Sequence, residues 1–130
     1  MKESFFKLIS RSTEEIIFKK NDKYQAPKEG ISVEFNFNTE VINREKNQAE
    51  ISFTFILFNE EKLEEVPFYL SITEKGEFAW DENASEDIIE RLLEKNAPAI
   101  LLSYMRSMIS QITAFSGYPA LIIPLINFNE

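Results

Sequence analysis

Histidine and cysteine are both absent from this chain of 130 residues. Without cysteine the chain has no disulfide framework and no thiolate ligands for zinc or an iron–sulfur cluster. Without histidine it has no imidazole general base, which excludes Ser-His-Asp and Cys-His catalysis. Its paired acidic residues lack the spacing of a calcium-binding loop, and the sequence contains no glycine-rich phosphate loop. We therefore expect a protein that is not an enzyme and that uses neither a metal nor another cofactor.

Glycine is scarce, at three residues, whereas phenylalanine is abundant, at twelve. The chain length corresponds to a single domain, residues 1–130, and the hydrophobic share of 44% and charged share of 28% are typical of folded proteins. So many phenylalanines predict either a dense aromatic core or aromatic surface that is kept for another molecule.

Positive charge is in the minority, with 14 Lys and Arg against 22 Asp and Glu and a net charge of −8. Phosphate backbones attract basic surfaces, so we do not expect nucleic acid as a partner. The N-terminal residues do not resemble a signal peptide, because Lys7 and Arg11 interrupt them. The longest apolar stretch, 120–126, is far shorter than the roughly 20 residues of a membrane span. A cytoplasmic protein without a membrane span is expected.

Apolar and polar residues alternate with period two in the first two thirds of the chain, which predicts β-strands. The predicted strands cover residues 4–18, 33–37, 51–57, 67–73 and 78–80. The first strand is long and is expected to contain a bulge, and a polar loop follows it over 19–30. We interpret Lys75 and Gly76 as a tight turn. Consecutive strands with short connections indicate an antiparallel meander or Greek key.

After Trp80 the apolar spacing becomes helical. Ser85 or Asn83 is the expected N-cap of a short helix, and Pro98 the expected first residue of a long one that ends near Ser116. The long helix carries an apolar stripe at spacings of four and three, formed by Leu101, Met105, Met108, Ile112 and Phe115. Its opposite face is small and weakly charged, so the helix is predicted to pack on two sides. We expect oligomer contacts through Leu101, Met105, Met108 and Ile112.

Two helices cannot cover all the apolar side chains of the predicted sheet. Phe35 and Phe37 share one side of a strand, while Ile56 and Phe58 lie on the face opposite Phe53. Some of these side chains are therefore expected to line a groove or a subunit interface.

The last third of the chain resembles the signature of the SecB export-chaperone family. That signature begins a helix with Pro-Asn-Ile-Leu-Phe-Pro-Tyr-Ala-Arg and continues with Gly-x-Pro and Leu-x-Pro-Val-Asn-Phe. The matching residues, in order and spacing, are Pro98, Ile100, Leu101, Tyr104, Arg106, Ile109, Gly117, Pro119, Pro124, Asn127 and Phe128. Residues 12–18 and 75–78 extend the similarity, so that it covers nearly the whole chain.

The resemblance implies an α+β fold in which a four-stranded antiparallel sheet packs with one short and one long C-terminal helix. It implies dimers that pair into a homotetramer. It also implies an ATP-independent holdase that binds unfolded or pre-secretory polypeptides in an apolar groove. The family's groove positions correspond here to Tyr24, Ile31, Val33, Phe35 and Phe128. An acidic surface suits clients that are rich in aromatic residues, arginine and lysine.

The same resemblance implies docking on the SecA translocase motor through acidic sheet positions and a C-terminal tail. Glu15 matches one acidic position, but Lys19 and Ser71 stand where the family is acidic. The family's last helix and tail are expected to be absent, since the sequence continues for two residues after Phe128.

Three further interpretations stay open. SecB-like chaperones also accompany toxin–antitoxin systems, so a dedicated chaperone of an antitoxin-type client is one alternative. A small-ligand-binding α+β module, with an apolar cavity between sheet and helix, is another. An assembly subunit without a client is the third.

Overall fold

A computed structural model describes residues 6–30 and 32–128 of the chain. Four strands come first, a 3₁₀ turn interrupts them before the last strand, and two helices follow. The strands are β1 (Phe6–Lys20), β2 (Phe35–Arg44), β3 (Gln48–Leu57) and β4 (Phe68–Trp80), and the helices are α1 (Glu86–Arg91) and α2 (Ala97–Phe115). The 3₁₀ turn covers Glu60–Glu65, and one π-helical turn, Leu92–Asn96, joins α1 to α2.

The four strands form one antiparallel sheet in the order β1-β4-β3-β2. β2, β3 and β4 are joined by short connections, whereas a long loop after β1 carries the chain from one edge of the sheet to the other. This is the Greek-key arrangement, in which the first strand lies beside the fourth. The predicted α+β class, the four-stranded antiparallel sheet and the short and long helices are confirmed.

The core lies between one face of the sheet and α2. Every second side chain of β3 is buried, from Ala49 to Leu57, and the facing row of β4 runs from Phe68 to Trp80. Residues paired across antiparallel strands project to the same face, so the two rows combine into one apolar surface. α2 lies across this surface with Leu101 and Met105 fully buried.

The predicted turn at Lys75 and Gly76 is wrong, because β4 runs through both residues without interruption. Gly76 pairs with Arg11 of β1 and with Ile51 of β3 in the middle of the sheet. A Cβ atom at this position would lie 2.9 Å from a Leu101 methyl carbon of α2. The glycine is therefore required for close approach of the helix and not for a turn.

β1 contains two bulges, at Ile9 and Glu14, as the long predicted strand led us to expect. Between them the alternation of side chains is shifted by one residue, which points Arg11 toward α2 instead of solvent. Arg11 donates to a carboxylate oxygen of Glu74 at 2.5 Å, and its guanidinium lies 4.3 Å from the ring centre of Tyr104. Glu74 is completely buried, and its second carboxylate oxygen has no partner in the described part of the chain.

The helical region begins where the Ser85 hydroxyl accepts from the backbone N–H of Ile88, which confirms Ser85 as an N-cap. Pro98 is the second residue of α2, one position after the helix begins, and the helix directly follows the π-helical turn. None of the helices in the described residues is both long and apolar enough to cross a membrane.

The buried face of α2 differs from the predicted stripe toward the end of the helix. Burial follows a row four residues apart, namely Ala97, Leu101, Met105, Ile109 and Thr113. Such a row rotates slowly around the helix, which suits a helix that crosses a twisted sheet at an angle. Met108 and Ile112 are consequently only half-buried, and Phe115 is 86% exposed.

The second packing side of α2 is covered by the chain itself. The segment after the helix folds back along it, and the Ser110 hydroxyl donates to the carbonyl oxygen of Leu121 at 2.8 Å. Arg106 Nε donates to the carbonyl oxygen of Ile123 at 2.7 Å. The predicted second contact of α2 is therefore made by the chain's own C-terminal segment, on the side of the helix that carries Arg106 and Ser110.

Gly76→Ala tests the close approach of helix and sheet. We expect it to lower the free energy of unfolding by about 1–3 kcal/mol, because the added methyl group overlaps Leu101. Urea denaturation measures this change. In a Leu101→Ala background the same substitution should cost less, because one of the two contacts at 2.9 Å is gone while that with the Phe78 ring remains. Equal costs in the two backgrounds would contradict the explanation.

Arg11→Met tests the buried carboxylate. Removal of one partner leaves the Glu74 charge buried without compensation, and we expect a loss of about 3 kcal/mol in unfolding free energy. Adding Glu74→Gln removes the charge and should restore most of that loss in the same denaturation experiment. An Arg11→Met variant as stable as the parent chain would show that the ion pair contributes nothing to the free energy of unfolding.

Candidate functional site

The helix-side face of β2 carries an exposed apolar row. Phe35, Phe37 and Val41 pair with buried residues of β3 and so project to the same face, but α2 does not reach them. Their exposed fractions are 49%, 40% and 50%. We call these three residues the β2 row. It continues the hydrophobic core onto the molecular surface at the free edge of the sheet.

Aromatic rings connect the β2 row to the core. Phe35 stacks on Phe55 with ring centres 5.5 Å apart, and Phe37 lies 6.0 Å from Phe53. Phe128 comes from the C-terminal segment and meets Phe37 edge-on at 4.8 Å. Edge-to-face and offset-stacked pairs are the favourable geometries for aromatic rings.

The structure brings together two of the five residues predicted for the groove. Phe35 and Phe128 border the same aromatic cluster, and Val33 precedes it as an exposed residue of the loop. Tyr24 lies in the loop at the other end of α2, near Tyr118. Burial raises the pKa of Tyr118, and nearby Asp22 and Tyr24 raise it further.

Ile31, the remaining predicted groove residue, lies outside the described residues. The roles of all five in ligand binding stay predictions.

An open cavity of about 460 Å³ lies beside Phe35, at the end of the β2–β3 pair. Phe58 and Tyr69 contribute aromatic walls, and the carboxylates at its rim belong to Glu34, Glu60 and Glu61. Lys19 forms an ion pair with Glu60, which raises the pKa of the lysine. Asn36, Ile56 and Tyr69 also line the cavity, so it opens toward the sheet face opposite α2, and Phe35 is the one member of the β2 row that reaches it.

A second exposed surface lies along β1 and the neighbouring side of α2. Thr13 contacts Met108 with its hydroxyl 4.0 Å from the sulfur, and Arg11 stacks on Tyr104. Phe115 is two turns beyond Met108 on the same side of the helix. We call this surface, with the exposed Ile9 and Ile16, the β1–α2 face.

The predicted oligomer contacts divide into two pairs. Leu101 and Met105 are completely buried within this chain, so their side chains have no surface to offer a second subunit. That part of the prediction is corrected: both pack against the sheet. Met108 and Ile112 are half-buried beside the β1–α2 face, and their role in an interface stays a prediction.

Glu15, the predicted motor-docking residue, is exposed on the face of the sheet opposite α2. Its neighbour Glu14 pairs with Lys75, and a hydrogen bond from the Ser12 hydroxyl lowers the pKa of Glu14. Ser71 on the same face is buried. This face of the sheet therefore carries positively charged, negatively charged and neutral side chains and is not uniformly acidic. Its contact with SecA stays a prediction.

Several surface-forming residues were not among the five predicted groove residues, although Phe37 was one of the apolar side chains expected to line a groove or an interface. Phe37 and Val41 share the face of Phe35 by period-two alternation, so the sequence contained the signal for them. Arg106 and Ser110 donate hydrogen bonds to the backbone of the C-terminal segment, and no local sequence pattern predicts these contacts.

Among residues 6–30 and 32–128, no three acidic side chains converge as metal ligands would.

Comparison with known proteins gives a consistent result. The family model described as preprotein translocase subunit SecB matches residues 12–130. The protein-export protein SecB of Anaplasma marginale (strain Florida) is 33% identical over 70 residues, which cover 53% of this chain and 40% of that protein. An uncharacterized protein of Methanocaldococcus jannaschii is 36% identical over 101 residues, 76% of this chain and 64% of its own length. The match spans less than two thirds of either relative.

Solved structures share the fold. A SecB-like chaperone of Mycobacterium tuberculosis, in complex with a peptide from the antitoxin HigA1, superposes with a TM-score of 0.69 at 11% identity. The superposition covers 94% of this chain and 88% of that one. A protein of unknown function from Streptococcus agalactiae gives a TM-score of 0.52 at 13% identity, over 92% and 96% of the two chains. Since the family model covers all but the first eleven residues, the chain belongs to the SecB family.

Proposed function

We propose that this protein is an ATP-independent holdase that binds unfolded or pre-secretory polypeptides along the β2 row, possessing no enzymatic activity of its own. The single observation that carries the proposal is the exposed row itself. Three large apolar side chains stay about half exposed on an uncovered sheet edge, in a chain whose net charge keeps it soluble. Apolar contact is non-directional, so such a surface accepts many sequences.

The acidic rim beside Phe35 specifies the favoured clients. Glu34 and Glu61 carry no ion pair in the described part of the chain, while Glu60 is engaged by Lys19. Client segments that combine aromatic residues with arginine or lysine complement the β2 row and, where the chain passes Phe35 at the sheet edge, the acidic cavity beside it. A dedicated antitoxin-type client is a specific form of this proposal, supported by the antitoxin peptide bound to the mycobacterial structural relative.

The small-ligand alternative is less well supported by the packing. Phe53, Ile72 and Met105 fill the space between sheet and α2, and each is almost completely buried. The cavity beside Phe35 opens at the surface instead of between the layers. An extended polypeptide fits such an open surface better than an enclosed small molecule does.

We also propose that the β1–α2 face is the contact between copies of this chain in a homotetramer built as a dimer of dimers. β1 is a free edge of fifteen residues, and edge strands pair readily with another copy. Exposed Ile9, Ile16 and Phe115 add apolar area to that edge.

The proposed place of action is the cytoplasm.

Phe35→Asp tests the proposed function in a refolding assay. A chemically unfolded, slow-folding protein is diluted into buffer with this chain and without nucleotide, and the parent chain should arrest its refolding. We expect the variant to bind the client at least about tenfold more weakly. The aspartate removes the apolar contact of the Phe35 ring with the client, and a loss of about 1.4 kcal/mol in binding free energy corresponds to that factor.

Asn38→Asp is the matched control, since it adds the same charge to the same strand on the opposite face. Its holdase activity should equal that of the parent. Refolding that proceeds normally in the presence of excess parent chain, across several clients, would refute general holdase activity. Equal binding by a folded Phe35→Asp variant would remove Phe35 from the site.

Phe115→Glu tests the proposed assembly. Light scattering after size exclusion should give the mass of four chains for the parent and a smaller assembly for the variant, because a charge in an apolar interface must be desolvated. Ile88→Glu, on the exposed side of α1, is the control and should leave the mass unchanged. A monomeric parent chain would contradict the proposal.

A further inference from the structure

The chain places part of its own C-terminal segment on the proposed client surface. Residues 121–128, which we call the strap, have no regular secondary structure. Ile123 and Phe128 are buried, whereas Ile122 and Leu125 are 73% and 82% exposed. The strap therefore has one apolar side against the molecule and another toward solvent, as an extended peptide lying on a surface has.

Phe128 fills a slot between two aromatic residues of the sheet. Its ring meets Phe37 at 4.8 Å and Phe53 at 6.0 Å, at interplanar angles of 73° and 77°. Phe37 belongs to the β2 row, so the slot is part of the proposed client surface. These two contacts are ring to ring, and an aromatic side chain from another polypeptide could make them equally well.

The backbone of the strap is held in a way that does not depend on its sequence. Arg106 Nε donates to the carbonyl oxygen of Ile123, and Ser110 Oγ donates to that of Leu121. The N–H of Leu121 donates to Thr113 Oγ1 at 2.9 Å. All three side chains come from α2 and bind main-chain atoms, which every extended polypeptide presents.

We infer that the strap is a tethered substitute for a client, and that a bound client displaces Phe128 from the slot and takes over its backbone contacts. The inference rests on the proposed function and specifies its regulation and its preferred ligand. The ligand is an extended segment with an aromatic residue and, five positions before it, an aliphatic one, as in Ile123 and Phe128. The covalent tether makes the strap a competitor at high effective concentration.

Phe128→Ala tests the inference by removing the competitor while the slot residues stay in place. Binding of a fluorescein-labelled peptide, in which one isoleucine stands five positions before one phenylalanine and serine and arginine fill the other positions, is measured by anisotropy. We expect about tenfold tighter binding, because a larger fraction of the molecules has an empty slot. Leu125→Ala, an equally apolar truncation on the outer side of the strap, should bind like the parent.

The outcomes separate the inference from the proposed function. Weaker or unchanged binding by Phe128→Ala, with normal binding by the parent, would overturn the strap as a competitor and leave the client surface intact. Absence of binding by the parent and both variants would overturn the proposed function and the inference together.

Amide hydrogen exchange of the parent chain provides a second test that needs no variant. The Leu121 N–H is hydrogen-bonded to Thr113 in the free protein. Saturating peptide should accelerate its exchange if the strap is displaced. Exchange that is unchanged or slower in the complex would overturn displacement even if the peptide binds.

Discussion

One helix is too narrow to cover a four-stranded sheet, and the rest of this structure depends on that mismatch. Four strands at about 4.8 Å spacing extend roughly 14 Å between the outer strand axes, before side chains are counted, whereas a helix is about 10 Å across. α2 lies over the two central strands, β3 and β4. Both edge strands therefore keep apolar side chains on the helix side without a cover.

The two uncovered edges carry different side chains, and we therefore propose a different role for each. The β2 edge presents Phe35 and Phe37 on the helix side and an acidic cavity beside Phe35, a combination suited to flexible polypeptide. The β1 edge combines scattered aliphatic residues with a long strand that pairs on one side only within residues 6–30 and 32–128. The strap covers only a part of the first edge, through Phe128.

The position of α2 over the centre of the sheet is itself maintained by two local features. Gly76 provides the space for Leu101, and the Arg11–Glu74 ion pair ties β1 to β4 beneath Tyr104. Separating the pair would leave the Glu74 charge buried without compensation, so a strand register that moved Arg11 away from it would be disfavoured. The two bulges of β1 are what allow this pair to form, and they thereby fix which residues of the edge face the helix.

The sequence by itself determined the α+β class, the long bulged strand, the N-cap at Ser85 and the family, because each depends on local spacing and residue type. It also contained the period-two signal for Phe35 and Phe37. Only the tertiary structure decided that Gly76 lies inside a strand, since its neighbour Leu101 is distant in sequence. The same holds for which side of α2 is buried, because the crossing of a helix over a twisted sheet rotates the contact row away from the local stripe. Backbone contacts such as those of Arg106 with the strap leave no periodic pattern, and only the folded chain brings their partners together.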